Sequence, residues 1–204
     1  MSKKSVLSLK DRLTKIINLS YEILCNDIVS GRVQVQNEAS LQMQLGVILK
    51  QIGQLFEFGN EDRFRIDLEV PQEVELAAKS GTNRARCDIN LKLSDGKESV
   101  SAAIELKYLR KSGANEAVTD NRYSVLLDLA NLEAYQKENT ELNCYEIVYT
   151  NNENYTRDSR SKIKLSGDIF GEISYTEKKH LILKGNYKAD WDCYDGHYFL
   201  KINF

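Results

Sequence analysis

Two carboxylates and one ammonium group are predicted to meet near the middle of this chain. Asp88 lies within one predicted strand, and Glu105 and Lys107 lie at the end of the next. Carboxylate oxygens suit Mg²⁺, which keeps several waters and accepts the oxygens of a substrate phosphate. A neighbouring lysine can orient or deprotonate the attacking water while the metal polarises the phosphate. These residue types therefore indicate metal-assisted hydrolysis of a phosphodiester bond.

The predicted hairpin between these strands places the three side chains on one sheet face. Its turn at Asp95 leaves two registers open. In the wider register Asp88 lies directly opposite Glu105, and in the tighter one Asp88 faces Ala103 with Glu105 as its diagonal neighbour. Both registers bring the carboxylates within about 5–8 Å of each other, and Lys107 points to the same face. The ordinary alternative is a surface ion-pair cluster that binds no ligand.

Hydrophobic periodicity predicts the elements that position this group. Apolar residues at helical spacing predict one helix that is capped by Ser8 and ends near Gly31, and a second from about Glu38 to Phe56. Alternation then predicts strands over 63–70, 86–93 and 100–107, a helix over about 123–138 and a strand over 144–150. Two short strands, over 181–183 and 198–204, flank a loop that contains Trp191. The predicted fold is α/β, with a central mixed sheet (a meander plus a crossover strand) flanked by helices.

The apolar face of each of the first two strands follows from the same alternation. These apolar positions are Phe64, Ile66, Leu68 and Val70 in the first strand, and Cys87, Ile89, Leu91 and Leu93 in the second. The charged and polar residues between them are expected on the opposite face.

Composition narrows the functional classes. A chain of 204 residues fits one domain, and a net charge of −2 gives no overall basic signal. Contact with nucleic acid must therefore depend on a local basic surface. The four cysteines form no C-x-x-C pair, the two histidines are isolated, and no apolar run reaches membrane-spanning length. We expect a soluble cytoplasmic protein with reduced thiols and no membrane contact.

The pattern resembles the PD-(D/E)XK nuclease superfamily, which has a restriction-endonuclease-like core. Asp88 and the triplet Glu105-Leu106-Lys107 carry the resemblance, on strands joined by a hairpin and followed by a helix and a strand. Cys87 stands where the motif often has proline. The resemblance implies a single nuclease-like domain over 1–204, with a core over 38–150, an N-terminal helical elaboration over 1–31 and a C-terminal elaboration over 151–204.

The resemblance also implies roles for these residues. Asp88 and Glu105 would bind Mg²⁺, which Mn²⁺ can replace, together with the backbone carbonyl of Leu106. Lys107 would act on the nucleophilic water. Together with Glu38, these three side chains make up the predicted catalytic set.

Glu38 and Gln42 extend the site to the second helix. Glu38 falls inside the apolar arc of this helix, where a carboxylate is costly unless it is satisfied. The alternative is that Glu38 simply begins the helix, where an acid favours the dipole. The resemblance implies that Glu38 belongs to the metal site and that Gln42, one turn on, lies beside the nucleic acid. Asp128 on the later helix could equally be a solvated helix residue, so it is left out of the predicted site.

Phosphate contacts are expected from basic residues next to the reacting position. Arg86, Arg110 and Lys111 meet that condition. Another basic segment, over 157–164, is interpreted as a solvated charged loop.

The predicted activity is Mg²⁺-dependent hydrolysis of DNA phosphodiester bonds, by a type II restriction endonuclease or a similar DNA-defence nuclease. The predicted substrate is double-stranded DNA, and cutting both strands with one site per subunit favours a homodimer. The alternative is a catalytically inactive nuclease-fold module that binds protein or DNA. A nuclease for RNA or for branched or single-stranded DNA is a third possibility, because the fold does not decide the substrate.

Overall fold

The computed structural model describes residues 7–72, 85–110, 115–157, 163–176 and 179–204. Its elements in chain order are α1 (Leu9–Val29), α2 (Glu38–Gln54), β1 (Arg63–Gln72), β2 (Ala85–Ser94), β3 (Ser99–Leu109), α3 (Asn115–Glu138), β4 (Asn143–Thr150), a 3-10 helix (Glu153–Tyr155), β5 (Gly167–Thr176), β6 (Lys179–Ala189), β7 (Trp191–Tyr194) and β8 (His197–Asn203). No helix in these ranges is long and apolar enough to cross a membrane.

The central sheet has six strands in the order β1-β2-β3-β4-β8-β7. Its β1, β2 and β3 form an antiparallel meander, whereas β3 and β4 are parallel. A parallel pair needs a crossover connection, and α3 provides it. The prediction of an α/β chain with a mixed sheet flanked by helices is therefore confirmed.

Helices α1 and α2 cover one face of the sheet. Ser8 caps α1, because its Oγ accepts the N–H of Asp11 at 3.1 Å. Gly53 lets α2 approach β1 closely, since a Cβ there would overlap the ring of Phe64. The buried side chains of this layer include Leu13, Ile16, Ile17, Leu24, Leu41, Leu45, Leu49, Ile89, Leu91, Ile104 and Leu106.

Helix α3 and the separate β5–β6 hairpin cover the opposite face. The helix begins at Asn115, eight residues before the predicted start at Tyr123. Its first two turns are mostly polar, so they carry no apolar period to find. The predictions for the C-terminal segment were incomplete, because β5 was missed, β6 is longer than predicted and Trp191 lies in β7. Strand β8 pairs with β4 and so completes the central sheet.

A buried arginine on α3 organises the loop after β4. Arg122 is 1% exposed, and its guanidinium donates to the carbonyls of Ile163 at 2.8 Å and Asn154 at 2.7 Å. It also donates to the carbonyls of Tyr155 and Arg157. The loop therefore satisfies part of its backbone through one side chain of the helix instead of through a neighbouring strand.

A buried ion pair stabilises the turn between α2 and β1. Arg12 and Asp62 are each 5% exposed, and their Nη1 and Oδ2 atoms lie 2.5 Å apart. The same Asp62 oxygen accepts the N–H groups of Phe58 at 2.9 Å and Gly59 at 3.1 Å. These hydrogen bonds hold the pKa of Asp62 below its usual value, and the one from Arg12 has the largest effect.

Candidate functional site

Asp88 lies where the β2–β3 ladder ends. The last pair is Ile89 with Ile104, so the next position places Asp88 opposite Glu105, as in the wider of the two predicted registers. Beyond this pair a side chain, not a backbone carbonyl, accepts the next N–H of β3. The Oδ2 atom of Asp88 accepts the N–H of Leu106 at 2.7 Å. This hydrogen bond fixes the carboxylate beside the backbone of the predicted triplet.

The regular alternation of β2 also stops at Asp88. Ile89 packs under α1 and α2 as predicted, but Cys87 packs with Ala103 and Tyr135 on the α3 side. The prediction that Cys87 shares a face with Ile89 was wrong, because the strand leaves the regular pleat between them. This irregularity lets Asp88 turn toward the end of β3.

Glu69 occupies the irregular position on the neighbouring strand. The pairs that flank it place it opposite Asp88, and its φ of 53° is left-handed, which is costly for a residue other than glycine. Gln42 stabilises this arrangement, because its Nε2 donates to the Asp88 carbonyl at 2.8 Å and to Glu69 Oε1 at 3.0 Å. Backbone strain of this kind concentrates at functional sites. Glu69 was not predicted as part of the site, because the alternation of polar and apolar residues along β1 looked regular.

Glu105 and Glu146 lie side by side on parallel strands under α3. They are register partners, and they are 6% and 0% exposed. Tyr135 donates to Glu105 Oε1 at 3.1 Å. Neither carboxylate oxygen of Glu146 has a hydrogen-bond partner in the described ranges. Glu146 was missed, although an acid inside the apolar run of β4 was a visible signal.

Lys107 is held between two helices. Its Nζ lies 2.9 Å from Asp128 Oδ2 on α3 and 3.4 Å from Glu38 Oε2 at the start of α2. Glu38 therefore reaches the predicted lysine. Asp128 was left out of the predicted site because it could equally be a solvated residue, but its side chain is only 16% exposed. It lies on the same helical stripe as Tyr135, seven residues on, and this spacing could have revealed it.

Five carboxyl groups thus gather around one ammonium. We call this set the acid cluster, and its members are Glu38, Asp88, Glu105, Asp128, Glu146 and Lys107.

Burial and mutual repulsion shift the pKa values in the acid cluster. Burial, reinforced by the negative charge of Glu38, raises the pKa of Asp88 to about 6 in spite of the Leu106 hydrogen bond. Burial and then the charge of Asp128 raise the pKa of Glu105 and of Glu146 well above the usual range. Burial alone would lower the pKa of Lys107, but Asp128 and Glu38 raise it above its usual value. Lys107 stays protonated, and the carboxyl groups of the cluster outnumber this single ammonium.

The predicted phosphate contacts lie apart from this cluster. Arg86 and Arg110 are exposed, and no hydrogen bond or ion pair in the described part of the chain joins their side chains to the acid cluster. Lys111 lies outside the described residues. The two arginines nevertheless flank the site along the chain, two residues before Asp88 and three after Lys107.

The oxygen donors suit a hard divalent cation. Asp88 Oδ2 and Glu105 Oε1 are engaged by the protein, and no hydrogen bond within the described ranges uses Asp88 Oδ1 or Glu105 Oε2. Mg²⁺ is commonly held by one or two carboxylates and keeps several waters. Among the residues that the structure describes, no three or more His, Cys, Asp or Glu side chains converge as a metal-binding group. The predicted pair of carboxylates is compatible with Mg²⁺ chemistry, but it makes a sparse set of ligands.

Comparisons with known proteins do not assign a family to the chain. No family model matches it, and neither a curated protein nor a solved structure is significantly similar to it. The resemblance to the PD-(D/E)XK nucleases stays a prediction that depends on the residues and their geometry.

Proposed function

We propose that this protein is a Mg²⁺-dependent endonuclease with a restriction-endonuclease-like core that hydrolyses phosphodiester bonds of double-stranded DNA. One observation carries the proposal: five carboxyl groups and a single lysine lie together in the acid cluster, where burial and mutual repulsion disfavour the charged carboxylates, so a bound cation would stabilise them. A type II restriction enzyme, or a similar DNA-defence nuclease, needs such a site.

Asp88 and Glu105 would hold the cation through their open oxygens, with the Leu106 carbonyl beside them. When bound, Mg²⁺ supplies charge that polarises the scissile phosphate and lowers the pKa of a coordinated water. Mn²⁺ has the same preference for oxygen ligands and can replace it. The hydrogen bonds from Leu106 to Asp88 and from Tyr135 to Glu105 keep the two carboxylates in place before any ligand arrives.

Lys107 would act in this mechanism as a charged hydrogen-bond donor that keeps its proton on Nζ. Asp128 and Glu38 both stabilise its charged form, so the lysine is unsuited to deprotonating water at neutral pH. Its ammonium would orient the attacking water and stabilise negative charge on the phosphate. Of the two roles left open by the sequence, orientation is the one that these ion pairs favour.

DNA would reach the site past the exposed arginines. Arg86, Arg110 and Lys111 are the proposed phosphate contacts, and a negatively charged backbone needs them because the chain as a whole has a net charge of −2. Gln42 donates within the protein to Asp88 and Glu69, which favours a positioning role over direct nucleic-acid contact. A homodimer would supply a site for each strand.

The decisive experiment is cleavage of supercoiled plasmid DNA with Mg²⁺ or Mn²⁺. Glu105→Gln and Lys107→Met should each lower the rate at least about 100-fold. Glu141→Gln, at an exposed position after α3, is the matched control and should cleave like the unmodified protein. Linear DNA, single-stranded DNA and RNA complete the substrate panel. The proposal fails if the unmodified protein cleaves none of these substrates, or if Glu105→Gln cleaves as fast as the control.

The second candidate function is that of a catalytically inactive nuclease-fold module, because Lys107 already has two carboxylate partners. Such a closed ion-pair arrangement can be purely structural. Calorimetric titration with Mn²⁺ separates the two candidates. A nuclease should bind the ion, and Asp88→Asn should abolish that binding, whereas a pure interaction module need not bind Mn²⁺ at Asp88 and Glu105.

A further inference from the structure

Strand β1 forms an open edge of the central sheet. It is 10 residues long and pairs with β2 on one side only, within the residues described. A long edge strand offers unpaired backbone N–H and C=O groups to another strand. Its only proline, Pro71, lies one residue from the end of the strand, and the irregular Glu69 lies near the same end, so neither interrupts pairing over positions 63–68.

An apolar groove runs beside this edge. It lies between α2 and β1, has a volume of about 520 Å³, and is lined by Met43, Val47, Ile66 and Leu68 among others. Met43 is 55% exposed, Val47 50% and Leu68 48%. Leu68 was predicted to share the apolar face of this strand with Phe64, but α2 does not cover it. Exposed apolar side chains that are contiguous in this way mark interaction surfaces.

Charges along β1 select one way of pairing this edge with itself. In an antiparallel pair of identical strands whose twofold axis is perpendicular to the sheet, so that both α2 helices stay on one face, the residue on the axis faces its own copy. An axis at Arg65 or Asp67 sets like charges directly against each other, and an axis at Phe64 or Leu68 also opposes like charges. An axis at Ile66 sets Arg65 opposite Asp67 of the second copy, on both sides of the axis.

Both charged residues are available for this exchange. Arg65 Nε lies 2.7 Å from Asp67 Oδ2 within the strand, and their side chains are 73% and 40% exposed. An exposed pair of this kind contributes little to stability, so exchanging its partner across an axis is inexpensive.

We propose that a second copy of this chain docks on the β1 edge in antiparallel register, with the twofold axis at Ile66. The two sheets then form one continuous sheet, and the axis is perpendicular to it. Both α2 helices lie on the same face, so Met43 and Val47 of each copy border a shared apolar groove. The interface specifies how the proposed homodimer forms, and it does not depend on catalysis.

A disulfide on the axis tests the register. In this arrangement the two Cα atoms of residue 66 lie about 4.5–5.5 Å apart, which is within the range for a disulfide. Ile66→Cys, in a Cys193→Ser background that removes the exposed cysteine, should oxidise to a covalent dimer that reductant reverses. Leu68→Cys is the matched control. Its two copies lie about 14 Å apart along the strands, so it should stay monomeric on a non-reducing gel.

Charge reversal tests the same register without cysteine. Arg65→Glu and Asp67→Arg should each weaken self-association at least about 10-fold in sedimentation, because each sets like charges across the axis. An equal mixture of the two variants should recover the dimer. In the mixed pair one copy has acids at both positions and the other has bases at both, so every charge faces its opposite across the axis.

Three results would overturn the interface: a monomer at about 100 μM in the unmodified protein, cross-linking of Leu68→Cys as readily as Ile66→Cys, or no recovery on mixing. None of these depends on cleavage, so nuclease activity with a monomeric chain would refute the interface and leave the proposed function standing.

Discussion

The Arg12–Asp62 pair and the acid cluster are both buried groups of charge, but they differ in balance. Asp62 has one cation and two backbone N–H donors on a single oxygen, and its pKa is lowered. In the acid cluster the carboxyl groups outnumber the ammonium, and the pKa of each of three acids, Asp88, Glu105 and Glu146, is raised. At Asp62 the hydrogen bonds from Arg12 and Gly59 outweigh the effect of burial on the pKa, whereas burial is the largest cause of the raised pKa values in the acid cluster.

The difference separates a structural ion pair from a ligand site. The Arg12 guanidinium also donates to the Phe56 carbonyl at 3.0 Å and lies 5.1 Å from the centre of the Phe58 ring. Everything that the Asp62 carboxylate needs is present in the folded chain. The acid cluster instead keeps Glu146 without a hydrogen-bond partner in the described ranges. The fold tolerates this cost, which a cation would reduce.

The largest effect on the Tm is expected from breaking the Arg12–Asp62 pair. Arg12→Met leaves the Asp62 carboxylate buried without its cation, and the Tm should fall on the order of 10 °C. Arg32→Met removes the exposed partner of Asp27 and is the matched control, with little change in Tm. Differential scanning calorimetry of both variants checks the prediction. Equal shifts would show that the buried pair has no special role.

A smaller effect of opposite sign is expected in the acid cluster. Glu146→Gln removes a buried carboxyl group whose charged form is disfavoured by burial and by Asp128, and its amide can donate to Glu105 on the neighbouring strand. Without divalent cations at pH 8, the Tm should rise by roughly 2–4 °C. The gain should be smaller at pH 5, because the cost of ionising a carboxyl with a raised pKa grows as pH rises. A fall in Tm at pH 8 would mean that Glu146 stabilises the fold as a charged group.

The smallest effect is expected on the pH dependence of the Tm, to which Asp88 contributes. In the folded protein its pKa is about 6, whereas in the unfolded chain it returns to about 3.9. The folded state therefore binds more protons between these values, and the stability from this group is full below about pH 4 and is lost as pH rises through 6. Asp88→Asn should flatten the dependence of Tm on pH in this window. A steeper profile in the variant would contradict the assignment.

The central part of the site could be predicted from the sequence because it depends on local rules. Period-two alternation and a single turn predicted Asp88, Glu105 and Lys107 near one another, but they left two registers open and did not predict the irregularity at Asp88. Helical periodicity placed Glu38 on the apolar arc of α2, and the family resemblance assigned it to the site. These inferences need no knowledge of how distant elements pack.

The rest of the acid cluster depends on packing between layers. Asp128 and Glu146 become buried only because α3 crosses over β3 and β4, and a helix period does not state which strand it covers. Glu69 depends on a left-handed backbone that alternation conceals. In the C-terminal part, β5 contains two glycines at positive φ, Gly167 and Gly171, and these weaken a strand signal.

Arg122 has a consequence for the order in which the chain assembles. The loop after β4 directs four backbone carbonyls to this one guanidinium, so it cannot satisfy them until α3 has docked. Loop and helix should consequently open together as one cooperative unit, and amide hydrogens in both should exchange with the solvent at a common free energy. Since α3 also carries Asp128, any opening of that unit would release Lys107 from one of its two partners.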